Sequence, residues 1–278
     1  MGLNVYEMVT NKIIEKLEQG VIPWRRPFQS AWAVNWKTQR PYRGINAILL
    51  EPGEYATFKQ IQEAGGRVKK GEKGHLVVFW KWIEIEDEET GEKKEIPFLR
   101  YYKVFEINTQ CEGLKSKRKV KEYHHNPIEE AEKIKNNYRG PLYTELPGKA
   151  YYRPSDDVIN VPRKEEFESI HEYYSTLFHE MVHSTGHPSR LNRKGIAEYS
   201  EFGSETYSKE ELVAELGASF LCNETGILPK TLDNSAAYIQ SWLRVLKNDK
   251  TLVVKASQQA QKAVDFILGK IPESEDYS

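Results

Sequence analysis

Residues 173–187 read YYSTLFHEMVHSTGH, and His179-Glu180-Met181-Val182-His183 within them is an H-E-x-x-H run. Residues four apart share one face of a helix, so both imidazoles can point at a single ion. Glu180 follows the first histidine directly and can reach a water at that ion, the arrangement of metal-dependent peptidases. Leu177, Phe178, Met181 and Val182 supply the apolar surface of a buried helix. The pattern predicts a helix over about 169–184, with Gly186 marking its end.

A third ligand has to come from downstream. One class of zinc peptidase carries a third histidine ten residues after the first, and here that position is Ser189. His187 falls short of it and is read as a capping or supporting residue. In 208–218, SKEELVAELGA, Glu211 and Glu215 stand at i and i+4, so either can meet the histidine pair. Ser208 can cap that helix, and Leu212, Leu216 and Phe220 form its apolar stripe. By analogy with zinc peptidases that use a glutamate, Glu211 is the ligand and Glu215 supports a ligand histidine. Glu210 is expected to be solvated. Two histidines and one carboxylate leave a fourth position open, as a catalytic zinc site does, and Mn²⁺ or Co²⁺ also suits these donors. Without a carboxylate cluster for paired metals, a two-metal nuclease is disfavoured. Tyr199, Tyr207, His187 and Arg190 are the candidates for stabilising an oxyanion.

The whole chain has 278 residues, enough for two domains, and a net charge of −1. That balance hides an asymmetry. Residues 1–126 carry 22 Lys+Arg against 17 Asp+Glu, and residues 127–278 carry 18 against 24. A basic first half points to a polyanion-binding module joined to something else. Two distant cysteines, Cys111 and Cys222, argue against a disulfide scaffold and fit a reducing cytoplasm. The amphipathic N-terminus carries acids, unlike a signal peptide, and no apolar run approaches the ~18 residues of a membrane span. A cytoplasmic protein without a membrane partner is expected.

In the first half a helix is predicted over 4–19, ended by Gly20. Next comes a mixture of aromatic and basic residues: Trp24, Arg25, Arg26, Trp32, Trp36, Arg40, Tyr42, Arg43 and Asn46. Aromatic faces interleaved with cations are what single-stranded nucleic-acid binding requires, although the same rings can fill a small core. The basic, glycine-rich turn over 67–74 adds Lys69, Lys70 and Lys73, which can line a phosphate path. Strands are predicted over 75–86 and 96–107, a long hairpin whose turn at 88–94 is acidic. A polar segment around 108–126 marks the domain boundary. Beyond it lie a helix over 128–138, a short strand over 158–161 that could pair with an extended substrate, and two packing helices near the end.

The motifs, in this order, resemble the ArdC antirestriction proteins of plasmids and phages, whose N-terminal region is shared with TraC-type plasmid primases. The resemblance rests on VYEMVTNKIIEKLEQGVIPWRRPF, RPYRGINAILL, YATFKQIQEAGGRVKKGEKG followed by HLVVFW, YYRPSDDVINVP, the H-E-x-x-H stretch, SKEELVAELGASFLCNETGI and AAYIQSWLRVLKNDK. It implies an α+β chain of two domains. A single-stranded DNA-binding domain with the long hairpin would span 1–110, a linker 111–126, and a zincin-like metallopeptidase domain 127–278. It also implies a role in protecting invading DNA from host restriction. The partners would be single-stranded DNA and an unidentified protein substrate or component of the restriction system. A rival expectation is a non-catalytic protein that coats single-stranded DNA and keeps a structural or vestigial metal site.

Overall fold

The computed structural model describes residues 4–24, 32–86, 93–118, 126–197, 205–227 and 236–270. It is a mixed helix-and-strand protein that separates into two units. Among the described residues, unit 1 comprises those within 4–12 and 32–118, and unit 2 those within 13–24 and 126–270. The first helix, α1 (Val5–Glu18), therefore contributes to both.

Unit 1 is built on a four-stranded sheet. Its elements in chain order are β1 (Ala33–Asn35), α2 (Ile45–Leu49), β2 (Gly53–Thr57), α3 (Phe58–Glu63), β3 (Arg67–Val68), β4 (His75–Glu86), β5 (Lys93–Glu106), α4 (Ile107–Gln110) and β6 (Cys111–Glu112). The sheet order is β1-β2-β5-β4, while β3 and β6 form a separate pair. β4 and β5 make the expected long hairpin, in register from His75↔Val104 to Glu86↔Lys93. β5 begins at Lys93, earlier than its apolar run, because backbone pairing with β4 continues through charged positions. The middle of the hairpin turn lies outside the described residues. Successive residues of β2 point to opposite faces. Tyr55 accordingly packs with Tyr42, Leu50, Val77 and Val104, and Ala56 packs with Trp36, Ile61 and Ile107.

The first residues of the segment expected as a linker are docked on unit 1. Leu114 packs against the Trp36 cluster, and Lys115 O accepts from Trp36 Nε1 at 2.9 Å. The buried Glu54 carboxylate accepts from Ser116 Oγ and from Lys117 N. A buried carboxylate needs such donors, and the polar K-S-K-R run supplies them.

Unit 2 contains α5 (Pro127–Asn137), β7 (Leu142–Thr144), β8 (Tyr151–Arg153), β9 (Val158–Asn160), α6 (Ile170–Ser184), α7 (Lys194–Ala197), α8 (Glu205–Thr225), α9 (Ala236–Asn248) and α10 (Leu252–Ile267). α8 lies between α6 and α10 and packs on both. The small sheet has the order β7-β9-β8. β9 is thus central, paired with β7 on one side and β8 on the other over Val158–Asn160. The expectation that this strand takes a substrate as an added strand fails, since both of its edges are already bonded. Among the described residues no helix is long and apolar enough to cross a membrane.

Candidate metal centre

α6 forms where the apolar spacing predicts it. Ser169 caps its first turn by accepting from Glu172 N at 3.1 Å. Leu177, Phe178, Met181 and Val182 are buried, as is Glu180. Val182 meets α8 at Gly217, where a Cβ would lie 2.7 Å from a Val182 methyl. Only glycine lets the two helices come this close. That contact brings Glu211, nearly two turns earlier on α8, up to the histidine pair.

The three candidate donors converge. His179 Nε2 and His183 Nε2 are 3.1 Å apart, Glu211 Oε2 is 3.5 Å from the former, and Glu211 Oε1 is 3.4 Å from the latter. Ligand atoms about 2.1 Å from a tetrahedral ion stand about 3.4 Å from one another, so this set fits one divalent cation. Among the described residues it is the one His/Cys/Asp/Glu group with that convergence.

Glu210 is where the structure departs most from the sequence reading. Instead of being solvated it is buried, and its Oε1 lies 3.3 Å from His183 Nδ1. The buried Arg193 holds it with a fork, Nε to Oε2 at 3.0 Å and Nη2 to Oε1 at 2.6 Å. The same guanidinium donates to Thr185 Oγ1 and to the Val182 carbonyl, at 2.6 and 2.7 Å, which satisfies the C-terminal end of α6. Burial disfavours a charged His183. Hydrogen bonds with Glu210 and Glu211, with the charges of Glu211 and Glu180, outweigh burial and push its pKa up to about 10. Burial acts to raise the carboxyls too, but His179 and His183 hold Glu211 well below the usual carboxylate range, and His183 and Arg193 lower Glu210.

Glu215, expected beside a ligand histidine, is engaged elsewhere. It accepts from Trp24 Nε1 at 3.0 Å and from the Tyr238 hydroxyl. One helical turn carries it past the histidines, so Glu210 takes the supporting place. His187 turns to Ser189, with Nδ1 2.7 Å from its hydroxyl. Arg190 donates to the Ser184 carbonyl at 2.7 Å and pairs with Asp157, which ties the end of α6 to the turn before β9. It is committed to that link rather than poised for an oxyanion. Tyr199 and the Tyr207 side chain lie outside the described residues.

Four residues expected to touch DNA are core instead. Trp24 is buried against Trp242, with its carbonyl accepting from Ser219 Oγ. Trp36 is buried, and Lys117 Nζ lies 3.9 Å over its ring. Tyr42 is in the sheet core, and Asn46 brackets the Val78 backbone through Nδ2 to O at 2.7 Å and N to Oδ1 at 2.9 Å. Interleaved aromatic and polar residues here serve packing: Trp36, Tyr42 and Asn46 fill and tie the small sheet of unit 1, and Trp24 packs on α8 and α9 of unit 2. Trp32 and Arg43 are half-buried, while Arg40, Lys69, Lys70 and Lys73 are exposed. Arg25 and Arg26 lie outside the described residues.

The pairing of Glu210 with Arg193 is not legible in the sequence, since no periodicity links a residue of α8 to one in the loop after α6. The adjacent Glu pair was a usable signal: neighbours on a helix point about 100° apart, so one can face the ion and the other a ligand's far side.

Comparison with known proteins bears on this geometry. A family model for the N-terminal domain of the anti-restriction factor ArdC matches residues 3–105, and one for a zincin-like metallopeptidase matches residues 129–259. A DNA primase TraC of Escherichia coli is 36% identical over 95% of this chain, which spans 27% of that primase. The protein y4eC of Sinorhizobium fredii is 31% identical, with 95% of this chain and 91% of that protein covered. The metal-free crystal structure of the antirestriction protein ArdC from plasmid R388 superposes with a TM-score of 0.74 at 38% identity, covering 96% of this chain and 97% of that one. Its Mn(II)-bound structure gives 0.77 at 37% identity, covering 96% and 98%.

Proposed function

The chain belongs to the ArdC antirestriction family, and from that premise we propose that it is a metal-dependent peptidase tethered to single-stranded DNA, protecting mobile-element DNA from host restriction in the cytoplasm. The observation that carries the catalytic half is the convergence of His179 and His183 on α6, their Nε2 atoms 3.1 Å apart, with the two carboxylate oxygens of Glu211 on α8, one 3.5 Å and the other 3.4 Å from them, beside Glu180 on α6. The DNA half is supported by the matched N-terminal family model and by the likeness to TraC-named primases.

His179, His183 and Glu211 would hold the ion, with Zn²⁺ suited to two imidazoles and a carboxylate and Mn²⁺ present on the solved relative. When bound, a divalent ion supplies Lewis acidity towards a carbonyl and makes a water nucleophilic near neutral pH. Glu180 takes the proton from the attacking water and later delivers it to the leaving amine. Glu210 accepts from His183 Nδ1–H, fixing the tautomer whose Nε2 lone pair faces the centre, and Arg193 holds Glu210 in place. The burial of Glu180 keeps bulk water from competing for that proton.

The test is to compare new protein termini in cells that carry the unaltered chain or Glu180→Gln. Termini unique to the unaltered chain, with metal content equal in the two proteins, are expected and would identify the substrate. Equal protection of incoming DNA by both proteins, with no new termini, would sink the peptidase reading and favour coating of single-stranded DNA.

A further inference from the structure

We propose that single-stranded DNA is held along one face of β5, with Tyr101, Phe105 and Phe58 as stacking rings and Lys103 as the phosphate contact between them. This rests on the reading of the N-terminal domain as the DNA-binding part, and it replaces the buried tryptophans with a surface. Alternate residues of a strand share a face, so Tyr101, Lys103 and Phe105 line up on β5. Tyr101 is 45% exposed and Lys103 is exposed, while Phe105 is half-buried and packs on the Trp36 cluster at the end of the strip. Phe58 opens α3 beside them, its ring edge-on to Phe105 at 6.5 Å and 52% exposed.

Three features favour this occupant over a protein. The rings of Tyr101 and Phe105 are separated by four residues, about 14 Å of strand rise, with an ammonium midway. Stacked nucleotides rise only about 3.4 Å each, so the spacing suits a strand pulled out straight, with a base on each ring and a phosphate passing Lys103. Gly74 lies beside the strip, where a Cβ would come within 2.8 Å of Lys103 Cβ and 3.0 Å of the Phe105 ring. Its missing side chain lets Lys103 and Phe105 stand side by side. The exposed Lys73 precedes it and brings a second cation to the same end.

The opposite face of β5 is less suited. There the Arg100 guanidinium already lies 4.8 Å from the Phe98 ring centre. Tyr102 packs on the core and against Phe79, with ring centres 5.6 Å apart. Rings and cation on that side are spent on one another, whereas Tyr101 and Phe58 are 45% and 52% exposed.

Fluorescence anisotropy of a labelled oligothymidine with the full chain decides the matter. Tyr101→Ala and Phe58→Ala should each weaken binding about 5- to 100-fold, the loss of one stacked base. Tyr101→Phe should bind as the unaltered chain does, because the ring and not the hydroxyl makes the contact. Phe98→Ala, on the other face, should also leave binding unchanged. The platform is overturned if the unaltered chain binds and Tyr101→Ala and Phe58→Ala bind equally well, or if Phe98→Ala alone loses binding. Failure of the unaltered chain to bind would overturn the DNA reading itself along with the platform.

Discussion

At the α6–α8 contact His183, Glu210 and Arg193 are buried, Glu211 is half-buried, and the charged groups already hold one another: His183 between Glu210 and Glu211, and Glu210 in the fork of Arg193. Along β5 the charged and aromatic groups stand in water, with Lys103 and Tyr101 exposed. The two regions call for different energetics. A buried charge that loses its partner is left in a medium of low polarity, which costs about 3–5 kcal/mol. An exposed cation is hydrated and screened, and its contacts contribute about 1 kcal/mol or less. The first region is built before any ligand arrives, and the second gains its contacts only on binding.

The largest effect should come from breaking the buried side of this comparison. Glu211→Ala removes a donor outright, so metal affinity in isothermal titration should fall by more than the about 10–100-fold lost when an outer partner is removed. Binding of oligothymidine by the same protein should not change. Loss of both would mean that the variant no longer folds, and circular dichroism would reveal that.

Why the histidines were legible and their support was not follows from the same contrast. His179, Glu180 and His183 belong to one helix, whose period fixes which side chains share a face. Glu211 needed an analogy, because the sequence shows two carboxylates at i and i+4 but not which turn of α8 passes the histidines. Glu210 and Arg193 depend on the path of the chain after α6, which no local pattern encodes. The long hairpin was legible from alternation, yet alternation does not tell the core face from the wet one. Trp36 and Tyr42 fit a binding patch by composition and are buried, while nothing in the local pattern sets the exposed Tyr101 apart from the rest of its strand. The position of β9 between two partners was illegible for the same reason, since strand order is tertiary.

A smaller effect concerns the proton on His183. Its pKa, pushed up to about 10, means that the imidazole carries a proton throughout pH 7–9 in metal-free protein. An ion needs the neutral ring, so that proton must leave on binding. Affinity should therefore rise with pH, about tenfold per unit across this range. In Glu210→Gln one acceptor anion is gone and the pKa of His183 falls back towards its ordinary value. The pH slope should then flatten at the upper end, and affinity there should stay about 10–100-fold below that of the unaltered protein. An unchanged slope in Glu210→Gln would show that Glu210 does not act through His183.

The smallest effect tests the exposed side, and two lysines of one turn make the test specific. Lys69 Nζ donates to the Thr109 carbonyl at 2.7 Å, and its backbone N–H bonds to Gln110 O. Its ammonium already ties the turn to α4. Lys73 is bound through its carbonyl, which accepts from Gln110 Nε2 at 3.0 Å, so its exposed side chain is not needed for that tie. Lys73→Ala should thus weaken oligothymidine binding only a few-fold, with the slope of log affinity against log salt reduced by about 0.7, one phosphate contact on a single strand. Lys69→Ala should loosen the turn and lower the melting temperature with less change in that slope. If the two variants shift the salt slope equally, the turn is a diffuse cationic patch, and the distinction between a built contact and a solvated charge does not hold in this unit.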